Sequence, residues 1–278
     1  MRVAAGQIAC RQGCIADNLA MHLDAIGRAK AASVDLLVFP ELSLTDYLSR
    51  PDLASLSRSA GCDELVAIAE AAGSMHVSVG FIERGADGRS YNSQALLGGG
   101  SLHVHRKINL PTYGSLVEGE VYHGGRTLDL ARLSGQASAA TLICADTWNP
   151  ALPWLAALQE PDLLIVPVAS SRFAVDATFD NPAGWTLNLC HTALTYGLPL
   201  VMANHCGQRA GFDFWGGSRI LDANGRELAR AGDQPELIIA DLDSQATSEA
   251  RRRLPTIRDA DPDFVRSALD RLRSRRSP

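Results

Sequence analysis

Three residues of this chain form a chemically complete set for attack on a carbonyl carbon: Cys144, Glu41 and Lys107. A free thiol, with a pKa of about 8.5, is mostly protonated at neutral pH, and the thiolate is the nucleophile. A carboxylate within hydrogen-bond reach can take the thiol proton. An ammonium can then stabilise the thiolate and the oxyanion of a tetrahedral intermediate. Taken singly, each residue has a bland reading: a buried cysteine, a cap on the segment after it, a surface charge at a strand end. Their positions relative to the secondary structure change that balance.

Glu41 follows the run Val34 to Phe39, apolar except for Asp35, and Pro40. Lys107 lies near the end of a hairpin strand. Cys144 directly follows Ala139 to Ile143. Ends of buried strands are where α/β folds gather reactive groups. Strand and helix patterns alternate along the chain. Val3 to Ile8 reads as a strand and Asn18 to Ala32 as a helix, with Leu19, Leu23, Ile26 and Ala29 at helical spacing. Asp63 to Ala72 reads as a helix and Val77 to Ile82 as a strand. Tyr91 to Leu97 and Leu102 to Ile108 read as a hairpin across Gly98-Gly99-Gly100. In the second half, Leu163 to Val168 and Leu200 to Asn204 read as strands, Pro153 to Leu158 and Trp185 to Tyr196 as helices. Gly217 to Leu221 and Leu237 to Leu242 are expected to close the sheet around an Asp222–Gly225 turn. The alternation predicts an α/β fold (α+β in some schemes) with mixed rather than purely parallel strands.

With no linker, low-complexity stretch or internal repeat in view, residues 1–278 are expected to form one domain. Residues 251–278 read as a basic C-terminal arm: nine arginines stand against four aspartates, and Val265, Leu269 and Leu272 form a narrow apolar stripe. Such a helix is expected to pack on the body or on a partner subunit. Apolar residues make up 46% and charged residues 21%, as in ordinary soluble enzymes. The net charge of −5 provides no basic field for nucleic acid or anionic lipid. No window is apolar for long enough to span a bilayer, and the N-terminus lacks the features of a signal peptide, so a cytoplasmic location is expected. The six cysteines are then expected to be free thiols. Cys10 and Cys14 lack a second pair at zinc-ligand spacing. His103 and His105 share a strand face but have no third ligand in view. No metal is expected.

Several segments resemble the nitrilase superfamily, the carbon–nitrogen hydrolases. Phe39-Pro40-Glu41-Leu42, Arg106-Lys107-Ile108-Asn109-Leu110-Pro111 and Leu142-Ile143-Cys144-Ala145-Asp146 resemble its three signature segments, in the family's order. Tyr91-Asn92, the runs Asp162 to Pro167 and Val201 to Gly207, Trp215-Gly216-Gly217-Ser218 and Arg253 to Asp259 extend the resemblance over nearly the whole chain. The resemblance implies a four-layer α-β-β-α sandwich with mixed sheets, no cofactor, and a homodimer or higher homo-oligomer. It implies Glu41 as general base, Lys107 as oxyanion stabiliser and Cys144 as nucleophile, with the Ala145 amide as a second oxyanion donor. It also implies a second, substrate-positioning glutamate in the loop after the lysine. Glu118 aligns with that role, and Glu120 competes for it.

The implied activity is hydrolysis of a non-peptide C–N bond in a small amide through a cysteine thioester. True nitrilases usually follow the cysteine with Trp-Glu. Here Ala145-Asp146 favours an amide or N-carbamoyl compound over a nitrile. Cys144-Ala145-Asp146-Thr147-Trp148 is also similar to the glutamine-hydrolysing domains attached to NAD synthetases, a role that would need a separate synthetase partner. A catalytically silent binding subunit is the non-enzyme alternative. Tyr47, Tyr113 and Trp148 are candidate pocket walls. Arg172 is a candidate for holding a substrate carboxylate, with a surface charge as its competing reading.

Overall fold

Leu36, Leu37 and Val38 are all fully buried because their strand has helices on one face and a second sheet on the other. The computed structural model describes residues 1–114, 116–209 and 211–276. In the first sheet, β1 (Arg2–Gln7), β2 (Leu36–Val38) and β3 (His76–Arg84) run parallel. The helices α1 (Ile15–Ala31), α2 (Leu53–Leu56) and α3 (Asp63–Ala72) lie along the connections between them. The hairpin β4 (Ser90–Gly98) and β5 (Ser101–Arg106) adds antiparallel strands beyond β3. Its turn places Gly99 and Gly100 at φ of 58° and 76°, a region glycine enters without steric cost.

The chain then passes through the short helix α4 (Glu118–Val121) into a second six-stranded sheet. There β6 (Ala131–Arg132) pairs antiparallel with β7 (Ser138–Thr141), and β7, β8 (Leu163–Val168) and β9 (Leu200–Asn204) run parallel. Helices α5 (Ala151–Ala157) and α6 (Asn181–Tyr196) cover its outer face. After the small hairpin of β10 (Cys206–Arg209) and β11 (Phe212–Trp215), β12 (Arg219–Leu221) and β13 (Glu227–Arg230) extend the second sheet. β14 (Glu236–Asp241) returns to the first sheet, antiparallel to β1.

The two-residue period of a strand builds the layers. Val3, Ala5, Leu36 and Val38 meet Leu163, Ile165 and Val201 between the sheets. Their neighbours Ala4 and Leu37 pack with Ile26 of α1 and Ile68 of α3. Leu164 and Val166 pack with Leu152 of α5 and Trp185 of α6. Burying each Val, Leu or Ile this way is worth about 1.5–3 kcal/mol. The result is the four-layer α-β-β-α arrangement.

Two expectations need correction. The strands around Gly217–Leu221 and Leu237–Leu242 do not close one sheet. β12 pairs with β9 in the second sheet and β14 with β1 in the first. The Asp222–Gly225 turn joins β12 to β13, a polar, largely exposed strand that hydrophobic patterning does not reveal. Helix α6 starts at Asn181, before Trp185, because Asp180 caps it by accepting the Ala183 N–H at 3.1 Å and Pro182 suits the first turn.

The C-terminal region forms α7 (Ser244–Arg253) and α8 (Pro262–Arg276), and the last two residues of the expected arm lie outside the described residues. On α8, Phe264, Leu269 and Leu272 are exposed, so the apolar stripe is not covered by the described residues of this chain. All six cysteines are free thiols. Among the described residues, no helix is long and apolar enough to cross a membrane.

Candidate active site

The loop after β2 carries Glu41 into the fully buried interior, and its backbone lies directly against Gly80 of β3. A Cβ at Gly80 would stand 2.2 Å from the Leu42 nitrogen and 2.6 Å from the Pro40 carbonyl oxygen. The glycine lets the loop approach the sheet closely. Lys107, the residue after β5, is anchored by its N–H to the Asn92 carbonyl at 2.8 Å. Its ammonium donates to Glu41 Oε1 at 2.6 Å. It also lies 2.9 Å from Oε1 and 2.7 Å from Oε2 of Glu118, the first residue of α4. All three side chains are buried.

Each carboxylate has further donors. Glu41 Oε1 accepts from Asn92 Nδ2 at 2.7 Å, and Oε2 from the Ala169 N–H at 2.9 Å. Glu118 Oε1 accepts from the Tyr47 hydroxyl at 3.0 Å. His205 Nε2 lies 2.7 Å from the Glu41 carbonyl oxygen. That oxygen can only accept, so Nε2 carries the proton. Nδ1 then accepts from Arg209, 3.2 Å away, and Arg209 is paired with Asp46. Burial lowers the His205 pKa, in keeping with a neutral imidazole.

Cys144 follows β7 at a φ of 47°, at the start of a 3₁₀ turn through Trp148. A non-glycine residue in that region costs on the order of 1 kcal/mol or more, and such positions concentrate at functional sites. Asp146 holds the turn in place. Its Oδ1 accepts the N–H groups of Ile108 at 3.1 Å and Asn109 at 2.7 Å, and its Oδ2 accepts that of Ile143 at 3.1 Å. One carboxylate thus ties the cysteine turn to the segment that follows Lys107.

The charges are coupled. Burial pushes the Cys144 thiol well above its ordinary pKa and Glu41 adds to this, while Lys107 opposes it. Burial alone would lower the Lys107 pKa, but Glu118 and Glu41 outweigh it and hold the ammonium charged. Burial raises the Glu118 carboxyl, Lys107 draws it down and Glu41 raises it, for a net pKa of about 7. One buried cation beside two carboxyls favours a proton shared within the group.

Cys144, Ala145 and Glu118 line a cavity of about 130 Å³, walled by Tyr113, Trp148, Phe179 and Trp185 among others. Trp148 packs edge-on against Phe179 and Trp185. The structure brings Glu41, Lys107, Glu118 and Cys144 together and places Tyr113, Ala145 and Trp148 at the cavity. Tyr47 is a buried support for Glu118 and is not a lining residue. Arg172 faces Asp213, 3.4 Å away, and does not line the cavity. Glu120 is at the surface, paired with Arg50 at 2.6 Å. His105 is buried with Nε2 3.6 Å from Asp146 Oδ2. Among the described residues, no group of three His, Cys, Asp or Glu side chains is placed to hold a metal.

Residues 2–252 match the family model of carbon–nitrogen hydrolases. The chain belongs to the carbon–nitrogen hydrolase family. The chain is 31% identical over 250 residues to the glutamine-dependent NAD(+) synthetase of Thermotoga maritima, covering 87% of the chain and 42% of the synthetase. It therefore spans less than half of that relative. It is 32% identical over 261 residues to the hydrolase in the pqqF 5' region of Pseudomonas protegens, covering 90% and 86% of the two chains. A mutant of an amidase of the nitrilase superfamily from Nesterenkonia AN1 superposes with a TM-score of 0.76 at 25% identity, covering 91% of this chain and 95% of that one.

Local sequence pattern does not mark Asp146 as a tether, Gly80 as a seat for the glutamate loop, or His205, Phe179 and Trp185 as parts of the site. Gly80 had a partial signal: a glycine inside the strand run Val77 to Ile82 marks a close backbone approach. His205 and Phe179 had none, since their partners are remote in the chain.

Proposed function

We propose that this carbon–nitrogen hydrolase cleaves a small amide through a Cys144 thioester. The observation that carries the reading is the ammonium of Lys107 held between Glu41 and Glu118, at a cavity lined by Cys144. Glu41 accepts the Cys144 proton as sulfur attacks the carbonyl carbon. The oxyanion forms beside Lys107 and the Ala145 N–H. Glu41 returns the proton to the departing nitrogen, the C–N bond breaks, and ammonia or an amine leaves a thioester on Cys144. A water then gives a proton to Glu41 and attacks the thioester. The acid is released, and the proton returns to sulfur. Glu118, supported by Tyr47, holds the substrate amide in reach. The likeness to an amidase supports an amide as substrate.

The test is ammonia release from a panel of small amides, with Cys144→Ala and Cys144→Ser as controls. Wild-type turnover with both variants nearly inactive yet folded is expected. Full activity in Cys144→Ala, or no ammonia from any amide, would sink the proposal.

A further inference from the structure

The cavity beside Cys144 has a chemical character that narrows the substrate class, given the amidase reading above. None of its described lining residues is an arginine, lysine or histidine. Its walls away from the catalytic groups are mainly apolar or aromatic, with Leu116, Val175, Phe179 and Trp148 among them. Arg172 is held by Asp213 instead. The side-chain N–H groups of Asn181 and Trp185 at the far wall are also engaged. Asn181 Nδ2 donates to Ser170 Oγ at 2.8 Å and to the Ser171 carbonyl at 2.6 Å. The Trp185 indole N–H donates to the same Ser170 Oγ at 2.9 Å. These N–H groups, which could otherwise meet a carboxylate, point into the protein's own network.

A carboxylate on the acyl chain would lose its water here without gaining a cation. Desolvating an unpaired charge is strongly unfavourable even after relaxation. Glu118 adds a negative field whenever it is ionised. Size gives a second limit, since about 130 Å³ is well below the roughly 300–1,000 Å³ of typical small-ligand sites. From these observations we infer that the substrate is the amide of a short, uncharged, apolar acyl group. The same wall disfavours the monoamide of a dicarboxylic acid, an α-amino-acid amide side chain and an N-carbamoyl amino acid, each of which carries a carboxylate.

The test compares butyramide with succinamate, which has the same four-carbon chain but a terminal carboxylate in place of the methyl, using the intact wild-type protein. Butyramide should exceed succinamate in kcat/KM by on the order of a hundredfold. A second readout does not depend on turnover: mass-spectrometric rates of Cys144 alkylation by neutral iodoacetamide and anionic iodoacetate, each divided by its rate with free cysteine. Iodoacetamide should lead by at least about tenfold on that scale. Succinamate turned over as well as butyramide overturns the inference and leaves the amidase reading standing. Equal normalised alkylation also overturns the inference. Turnover of neither amide overturns the short apolar acyl group as substrate even with the alkylation bias present, while the amidase reading falls only if the whole amide panel also gives no ammonia.

Discussion

Asp146 Oδ1 accepts the backbone N–H of Asn109 at 2.7 Å, joining the turn that begins at Cys144 to the segment that begins at Lys107. Two further backbone N–H groups, of Ile108 and Ile143, converge on the same carboxylate. Replacing it with alanine strands buried donors, each costing about 1–3 kcal/mol. Asp146→Ala should therefore destabilise the protein by about 3 kcal/mol or more and lower turnover, because the cysteine and lysine segments lose their shared tether. Urea denaturation and kcat measure the two effects. A stability change below about 0.5 kcal/mol, the range of ordinary surface substitutions, would show that the tether is dispensable.

Gly80→Ala tests the seat of the glutamate loop. The added methyl would overlap the Leu42 nitrogen and the Pro40 carbonyl, forcing Glu41 to move. We expect a loss of about 1–3 kcal/mol from overpacking. A displacement of about 1 Å should cost up to a hundredfold in kcat/KM. Unchanged kinetics in a destabilised variant would mean that the loop shift does not reach the Glu41 carboxylate.

The two glutamates of the following loop should separate cleanly. Glu118→Ala should reduce turnover by on the order of a hundredfold while iodoacetamide still labels Cys144. Glu120→Ala removes only an exposed pair with Arg50, a class of contact worth about 0–1 kcal/mol, and should leave kcat nearly unchanged. The reverse pattern would make Glu120 the substrate-positioning residue.

Glu118 also gives stability a pH dependence. Its carboxyl is raised from 4.5 to about 7 by burial first, so the folded state holds a proton that the unfolded chain has released. The contribution is fully present below the ordinary carboxylate pKa and is lost as pH rises through about 7. The wild type should therefore lose stability relative to Glu118→Gln between about pH 5 and 8. Urea midpoints of both proteins across that range decide it, and a constant difference would refute a proton held at Glu118.

The apolar stripe of α8 predicts self-association. Leu269 and Leu272 are 54% and 52% exposed, and a second copy of the chain is the proposed cover. Removing the residues after Pro262 should weaken association in sedimentation experiments. A monomeric intact chain at micromolar concentration would end the proposal.

The sequence by itself determined which strands are buried on both faces, because Leu36–Val38 and Leu163–Val168 are apolar at every position except Pro167 and a strand's two faces alternate. It also marked Glu41, Lys107 and Cys144 as strand-end residues of complementary chemistry. Local pattern encodes burial and period, but it does not name the partner across a gap. The division into two sheets, with β14 returning to β1, was decided by long-range strand pairing. So were the bond from His205 to the Glu41 carbonyl, 164 residues away, and that from Tyr47 to Glu118, 71 residues away. Arg172 was a candidate for binding substrate until packing set it against Asp213. Side chains remote in the chain meet only after the two sheets and their helices have stacked, and that stacking is a property of the tertiary structure.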